Sequence, residues 1–357
     1  SKFMSKVHNY SAGPCILPQE VFEEASQAVT NFNNIGLSIL EISHRSKEFV
    51  TVMEDARSLV KELLEVPEGY TVLFLQGGAS LGFLVSAYNM MPVGGKGVYV
   101  ETGAWATKAV KEAKLLGNVD VVASSSDKNF NYIPKGYTVP ADADYLHITS
   151  NNTIFGTQFK SFPTSDAPLV CDMSSDIFSR KINVADFDII YAGAQKNLGP
   201  AGTTLYIVKD EVLGKIDRPI PAMLDLNVHA IKDSMFNTPP VYPIYVSMLN
   251  LRYMIKEGGI EVQQKKAEDR AALLYNEIDN NPLFEGTTAV EDRSNMNATF
   301  NLTDESLKEK FDEMWKAANI NGLKGHRSVG GYRASMYNAL PIESVQVLVD
   351  IMKKLNS

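Results

Sequence analysis

The sequence predicts an α/β fold with a large, mostly parallel sheet in one domain and a smaller α+β domain. Strand and helix patterns alternate through residues 71–208, as in sheets whose parallel strands are joined by helices. The chain has 357 residues, which is long for one hydrophobic core. From residue 297 onward the order is strand, helix, strand, helix. We therefore expect a large domain at residues 17–256 and a small domain formed by residues 1–16 and 257–357.

The elements of the large domain follow from hydrophobic periodicity. Apolar residues at helical spacing predict helices at residues 18–32 and 46–64, with further helices after Gln76 and from Trp105. Strands are predicted at residues 71–75, 97–101, 119–124 and 145–149, at a segment ending on Asp172, around 189–191, and at 203–208. The last two should form a hairpin, which places one antiparallel strand in the sheet.

The remaining elements lead into the small domain. Residues 235–245, MFNTPPVYPIY, are rich in proline and are predicted as a spacer or interface loop, because proline disrupts a regular helix. Two long helices at residues 247–255 and 262–278 should bridge to the second domain. That domain is expected to contain strands at 297–302 and 333–337, a helix at 306–318 and a terminal helix through Leu355.

Composition and charge exclude several classes of protein. A formal net charge of −8 and a pI near 5.3 argue against nucleic-acid binding, so any anion site must be locally basic. The two cysteines, Cys15 and Cys171, favour a reducing cytosol and argue against a disulfide framework. No apolar run has transmembrane length, and the first residues do not resemble a signal peptide. We expect a soluble, cytoplasmic protein without a membrane partner, and we exclude residues 1–3 from the fold.

Two polar residues stand at the ends of apolar strands. Lys196 lies at the tip of the predicted hairpin, where burial would lower its pKa and let its amine attack a carbonyl to form a Schiff base. An ordinary solvated turn lysine fits the same pattern. Asp172 ends the preceding strand, so both side chains would face one crevice, although a helix N-cap is the alternative for Asp172. Pyridoxal phosphate chemistry requires such a pair of lysine and carboxylate.

Two segments are compatible with anion binding. The segment QGGASLG from Gln76 joins a strand to a helix, where backbone N–H groups can converge on a phosphate, although a tight turn without a ligand fits as well. It has neither P-loop nor GxGxxG spacing, so nucleotide binding has little support. Ser43, His44 and Arg45 precede a helix N-terminus, where a cation is unfavourable unless an anion shares the site. A solvated loop arginine is the alternative reading.

A third basic group lies near the C-terminus. His326, Arg327 and Arg333 are close together in the segment GHRSVGGYR. The guanidinium group of arginine can bind a carboxylate through two parallel hydrogen bonds, so this segment is compatible with a carboxylate site. The alternative interpretation is a surface strand edge that carries arginines without a ligand.

Four separated motifs resemble one known family. They are YSAGP at residues 10–14, ISHR at 42–45, GAQKNLGPAG at 193–202 and GHRSVGGYRASMYNA at 325–339. The chain resembles the phosphoserine aminotransferases, class V enzymes of fold-type I that depend on pyridoxal 5′-phosphate, over nearly its whole length. The resemblance implies a seven-stranded sheet, a homodimer with shared active sites, and ping-pong transamination. The implied substrates are glutamate and 3-phosphohydroxypyruvate, which give 2-oxoglutarate and phosphoserine in serine biosynthesis.

The resemblance also assigns roles to individual residues, and no metal site is among them. Lys196 and Asp172 are the implied catalytic residues. Contacts to the cofactor are implied for Ala79, Ser80, Trp105, Thr153, Asp172, Gln195, Lys196, Asn237 and Thr238, the last two reaching the cofactor of the other subunit. Contacts to the substrate are implied for Ser11, His44, Arg45, His326, Arg327 and Arg333. Some relatives have arginine where this chain has Ser80, which leaves one substrate-phosphate contact open.

Two other functions remain compatible with the sequence. A cysteine desulfurase of the same class would need a nucleophilic cysteine on a mobile loop, and Cys15 and Cys171 are poorly placed for that role. A non-catalytic protein that holds the cofactor or an anion would show a yellow chromophore without turnover. Activity on the longer phosphorylated substrate of vitamin B6 synthesis stays open as well.

Overall fold

A seven-stranded mixed sheet forms the centre of the computed structural model, which describes residues 6–357. The expectation about residues 1–3 lies outside this range. The strands are β1 His8–Asn9, β2 Tyr70–Leu75, β3 Lys96–Glu101, β4 Asn118–Ser124, β5 Tyr145–Thr149, β6 Asn151–Asn152, β7 Thr157–Gln158, β8 Leu169–Asp172, β9 Ile189–Gly193, β10 Thr204–Lys209, β11 Phe284–Gly286, β12 Asn297–Leu302, β13 Ile320–Asn321 and β14 Tyr332–Ser335.

Helices cover the sheet and link it to the C-terminal part of the chain. They are α1 Gln19–Thr30, α2 Lys47–Leu64, α3 Gly78–Met90, α4 Ala104–Ala113, α5 Leu226–Ile231, α6 Val241–Glu257, α7 Ile260–Asn280, α8 Lys308–Ala317 and α9 Ile342–Leu355. Among these described helices, none combines the length and the apolar character that crossing a membrane requires.

The order of the strands confirms the predicted mostly parallel sheet. The sheet runs β2-β10-β9-β8-β5-β3-β4, and β10 is antiparallel to both of its neighbours while the other pairs are parallel. The predicted hairpin of β9 and β10 is therefore confirmed. Asp172 pairs in register with Thr149 on one side and Tyr191 on the other. This pairing places Asp172 at the carboxyl edge, where open parallel sheets bind their ligands.

Separate hydrophobic cores lie on the two faces of the sheet and around a second sheet. Side chains alternate along each strand, so Val72 and Phe74 pack in one core while Leu73 and Leu75 pack in another. A further core joins the antiparallel sheet β11-β12-β14 to α7, α8 and α9. These cores support the division into residues 17–256 and the two flanking segments, which we keep as a proposal.

The prediction for residues 235–245 was wrong in its second half. Helix α6 begins at Val241, directly after Pro240, and includes Pro243. Proline is tolerated there because the N–H groups of the first helical turn have no partner within the helix. The helices predicted at 247–255 and 262–278 are correspondingly longer, at 241–257 and 260–280.

The sequence also gave no indication of a short parallel pair far from the main sheet. His8 pairs with Ile320, and Asn9 with Asn321, so the first described residues of the chain are attached to the C-terminal part. The strand predicted at residues 333–337 begins one residue earlier and ends two residues earlier, at Tyr332–Ser335.

Candidate active site

One cavity of about 420 Å³ lies at the carboxyl edge of the large sheet, and Lys196 and Asp172 both line it. Lys196 belongs to the loop between β9 and β10, and Asp172 is the last residue of β8. The cavity size is typical of sites for small molecules and cofactors. The structure thus brings together the two residues that the sequence placed at one edge. Other predicted residues that line the cavity are Ala79, Ser80, Trp105 and Gln195.

The Lys196 amine is not that of a solvated turn lysine. Its Nζ donates to Thr153 Oγ1 and to Ser175 Oγ, each at 2.8 Å. Burial lowers the pKa of Lys196 to about 8, while the Asp172 carboxylate acts in the opposite direction. An amine with this pKa is available as a nucleophile and as a base near neutral pH.

Asp172 is buried, and a turn holds its carboxylate. Its Oδ1 accepts the backbone N–H of Ser174 at 2.9 Å and the Ser174 hydroxyl at 2.7 Å. No helix begins directly after Asp172, so its side chain caps a turn rather than a helix. Burial raises the pKa of this carboxyl, and the Ser174 hydrogen bonds offset part of that shift. A buried carboxylate in this position is suited to a cationic or N–H donor group of a ligand.

The N-terminus of α3 provides an anion cradle on another wall. Gly77 caps α3 with a left-handed backbone, φ 101°, and no side chain caps the helix. A Cβ on Gly77 would lie 2.5 Å from Leu81, so glycine is required here. The first N–H groups of α3 are therefore available to a phosphate, and the helix dipole favours negative charge at this end.

These groups fit pyridoxal phosphate. They include an amine of lowered pKa, a buried carboxylate, an uncapped helix N-terminus and the aromatic ring of Trp105. The Lys108 ammonium lies 4.4 Å from the centroid of the Trp105 ring. The buried Thr149 hydroxyl also lines the cavity and has no partner among the described residues, as expected for a site that takes a polar ligand.

The C-terminal part of the chain brings one predicted arginine to the site. Arg333 Nη1 lies 3.5 Å from the carbonyl oxygen of Thr153, and its positive charge contributes to the lowered pKa of Lys196. Burial lowers the pKa of Arg333 itself, and its Nε has no partner within residues 6–357. His326 and Arg327 are exposed, and His326 Nδ1 lies 2.7 Å from Ser328 Oγ. The structure therefore places Arg333 beside Lys196, and His326 and Arg327 on the surface.

The other predicted residues lie outside the cavity of this chain. Ser11 is half-buried beside Gly322. His44 is half-buried and Arg45 is exposed, just ahead of α2. Asn237 and Thr238 are exposed, and the Thr238 carbonyl accepts a hydrogen bond from Gln76 at 3.2 Å.

Sequence reasoning missed the two serines that hold the central residues. Ser174 binds Asp172, and Ser175 binds Lys196. Ser174 Oγ also accepts the N–H of Gly193 at 3.0 Å, which ties the turn after β8 to the end of β9. The available signal was their position directly after Asp172, since residues that follow a strand end lie at the same edge of the sheet.

Comparisons with known proteins agree with this geometry. The family described as Aminotransferase class-V matches residues 7–348. The phosphoserine aminotransferase of Flavobacterium johnsoniae is 63% identical over 353 residues, 99% of each chain. That of Parabacteroides distasonis is 56% identical over 98% of each chain.

Solved structures give the same result. A phosphoserine aminotransferase structure that describes radiation damage of the Schiff base superposes with a TM-score of 0.96, at 44% identity over 99% of each chain. The phosphoserine aminotransferase from Bacillus circulans subsp. alkalophilus gives a TM-score of 0.95, at 42% identity over 98% of each chain. The expected fold, enzyme class and cofactor are thereby confirmed. The chain belongs to the class-V aminotransferases and, within them, to the phosphoserine aminotransferases, which depend on pyridoxal 5′-phosphate.

Proposed function

We propose that this chain transfers an amino group from glutamate to 3-phosphohydroxypyruvate, giving 2-oxoglutarate and phosphoserine in serine biosynthesis. The observation that carries the proposal is the meeting of the Lys196 amine and the Asp172 carboxylate on one cavity beside the uncapped end of α3. The 63% identity to a phosphoserine aminotransferase over 99% of the chain supports this choice of substrates.

Several residues of this chain would hold the cofactor, which supplies an electron-accepting ring when it is bound. The N–H groups at Ala79 and Ser80 would bind its phosphate, and Trp105 would pack against its ring. Thr153 and Gln195 would contact it from the loops around Lys196. Asp172 would keep the pyridine nitrogen protonated, because its carboxylate accepts hydrogen bonds from Ser174 only at Oδ1 and can accept another donor.

Lys196 has two tasks. Its amine would hold the bound cofactor covalently, and whenever the amine is free its Nζ takes the proton from the Cα of the substrate. With a pKa of about 8, roughly one amine in ten is neutral at pH 7, against fewer than about one in a thousand for an ordinary lysine. Burial of Lys196 therefore raises the fraction of the amine that can act as a base at pH 7 by about two orders of magnitude.

The anionic ends of the substrates need separate cations. Arg333 lies beside Lys196 and binds the α-carboxylate, which both substrates share. His326 and Arg327 lie seven and six residues before Arg333 in the same segment and line the substrate side, as does Ser11. His44 and Arg45 bind the second anionic end. Because Arg45 is exposed at the surface of its own chain, we place this pair in the site of a second subunit.

The proposal therefore includes a homodimer with shared active sites. Asn237 and Thr238 are exposed next to Gln76, which directly precedes the anion cradle of α3. From this position they extend the cradle of the partner across a two-fold interface. A cytoplasmic location, predicted from the cysteine content, is part of the same proposal.

The structure offers no support for a desulfurase. Cys171 is fully buried in β8. Burial raises the pKa of Cys15 to about 12, and its thiol donates to the Lys196 carbonyl at 3.0 Å. Neither thiol is a thiolate at neutral pH, which a sulfur nucleophile requires.

A visible absorption spectrum of the purified, cofactor-loaded protein tests the proposal. Glutamate alone should convert the cofactor absorbance, and 3-phosphohydroxypyruvate should restore it, because each half-reaction leaves the enzyme in a different form. A chromophore that glutamate leaves unchanged would identify a binding protein instead. The phosphorylated substrate of vitamin B6 synthesis is a second acceptor in the same assay, and restoration by it alone would move the function to that pathway.

A further inference from the structure

Ser175 shares a hydrogen-bonded triangle with the Lys196 amine and Thr153. Lys196 Nζ lies 2.8 Å from Ser175 Oγ and 2.8 Å from Thr153 Oγ1, and the two hydroxyl oxygens are 2.6 Å apart. Ser175 and Thr153 are both buried, each with 4% of its surface exposed. The amine thus faces two neutral oxygen acceptors that solvent reaches poorly.

A buried network on the far side fixes the segment that carries Ser175. The neighbouring carboxylate of Asp176 accepts the Ser150 hydroxyl at 2.5 Å and the Arg180 guanidinium at 2.9 Å. Asn197, which follows Lys196 in the chain, donates to the Ile177 carbonyl at 3.0 Å. The Ser150 and Arg180 bonds fix the turn after β8, and the Asn197 bond ties this turn to the loop of Lys196, so the position of the Ser175 hydroxyl is set before any ligand binds.

We propose that Ser175 is a positioning residue that holds the Lys196 amine at the cavity wall whenever this amine is not bonded to the cofactor, and this inference rests on the proposed function. A neutral amine has two N–H donors, and the oxygens of Ser175 and Thr153 accept both. The lone pair then remains available for the substrate proton. Thr153 is already expected to contact the cofactor, so Ser175 is the acceptor to which no other role is assigned.

The groups around the amine give the direction of the expected effect. Asp172, Cys15 and Asp176 act to raise the pKa of Lys196, and burial and Arg333 act to lower it. The Ser175 oxygen acts with the first set, because an acceptor stabilises the ammonium form more than the neutral form. Its removal should therefore lower the pKa of Lys196 further.

The test follows acetylation of Lys196 by acetic anhydride in the full chain freed of cofactor, with peptide mass spectrometry as the readout. The midpoint of the pH profile in Ser175→Ala should lie about one unit below that of the unsubstituted chain, which corresponds to one hydrogen bond to a charged group. Ser175→Thr should restore the midpoint. Ser179→Ala is the matched control, since this buried serine of the same segment donates to the Asp176 carbonyl at 2.5 Å instead.

An unchanged midpoint in Ser175→Ala, or an equal shift in Ser179→Ala, overturns the proposal. Should Ser175→Ala fail to fold, Ser175→Cys provides a weaker acceptor and should give a smaller shift in the same direction, and no shift would overturn it equally. Acetylation needs neither cofactor nor substrate. The result is therefore independent of the spectral test for transamination, and the two proposals can fail separately.

Discussion

The cofactor side and the substrate-anion side of the proposed site differ in how completely one chain builds them. On the cofactor side, Lys196 and Asp172 are held by hydrogen bonds of 2.7–2.9 Å to Thr153, Ser174 and Ser175. On the substrate side, the side chains of Arg45, His326 and Arg327 are all exposed at the surface. Arg333 lies between the two sides, half-buried beside Lys196.

This difference has a physical cause. A buried polar group without partners costs roughly 1–3 kcal/mol or more, so the buried Lys196 and Asp172 are held by partners within the chain. An exposed cation is solvated, so leaving it without a ligand or a second subunit costs little free energy. The cofactor side is therefore organised before binding, whereas the substrate side would be completed by the proposed dimer.

The largest effect is expected for Lys196→Ala. Removal of the amine should abolish the covalent bond to the cofactor and lower kcat by at least about 10⁴-fold, because nucleophile and base are lost together. Borohydride reduction followed by peptide mapping identifies the labelled lysine. Lys160→Ala is the control. Burial lowers the pKa of Lys160 to about 8 as well, but Lys160 lines a different cavity from Lys196. Label on Lys160 in the unsubstituted chain would break the comparison.

The second effect is expected for Asp172→Asn, which should keep some cofactor but lose about a hundredfold or more in kcat, because an amide cannot hold the pyridinium proton. Near-normal turnover would remove Asp172 from this role.

Asp172→Asn should lower activity but raise the stability of the cofactor-free chain at neutral pH. The pKa of Asp172 is raised in the folded chain, so the ionised form is disfavoured there, and stability falls as pH rises from the unfolded pKa through the folded one. Cofactor-free Asp172→Asn should thus have a higher Tm than the parent at neutral pH, with the gain vanishing in acid. Asp176→Asn, which weakens a buried ion pair to Arg180, should instead lose stability, by about 3 kcal/mol. A lower Tm for both variants would show that Asp172 supports the fold.

Mixed dimers test whether the substrate side is built by association. Chains with Arg45→Ala and chains with Lys196→Ala should each be impaired, and mixing them should restore about a quarter of parental activity, because half of the dimers carry one intact composite site. Subunit exchange is verified with a mass-tagged chain. Exchange without recovery of activity would place Arg45 in the site of its own chain.

The sequence predicted the large sheet and the meeting of Lys196 and Asp172 at its edge, because both depend on patterns of buried residues that are local in the chain. Apolar strands that end on Asp172 and precede Lys196 leave a local pattern, and the parallel sheet brings their ends together. Contacts between distant segments leave no such pattern. The pairing of His8 with Ile320 and the bond from Arg333 to the Thr153 carbonyl join segments far apart in the chain, so sequence alone could not place them.

Two local errors have local causes. Prolines in residues 235–245 predict an irregular segment, whereas Pro240 caps α6 and Pro243 lies in its first turn, where proline is tolerated. Nothing in the local sequence distinguishes Ser175 from other serines that follow a strand. Its contact depends on the exact position of the Lys196 amine, 21 residues away in sequence.

The smallest effect is expected for Arg45→Ala. This variant tests whether the substrate side recognises the phosphate group itself. An acidic chain must concentrate positive charge locally to receive a dianion, and hydrogen bonds to charged groups contribute roughly 1.5–3 kcal/mol each. Loss of Arg45 should therefore lower kcat/KM for phosphoserine by about one to two orders of magnitude. The glutamate half-reaction should weaken less if the phosphate makes the additional contacts.

The controls for Arg45→Ala separate recognition of phosphate from general support of the site. Serine is the phosphate-free substrate, and its slower reaction should be nearly unchanged at fixed ionic strength. Arg252→Ala removes an exposed arginine that pairs with Asp55 on the surface, and it should leave both substrates unaffected. Equal losses for phosphoserine and serine would show that Arg45 organises the site without reading the phosphate, and specificity would then have to come from groups on the cofactor side.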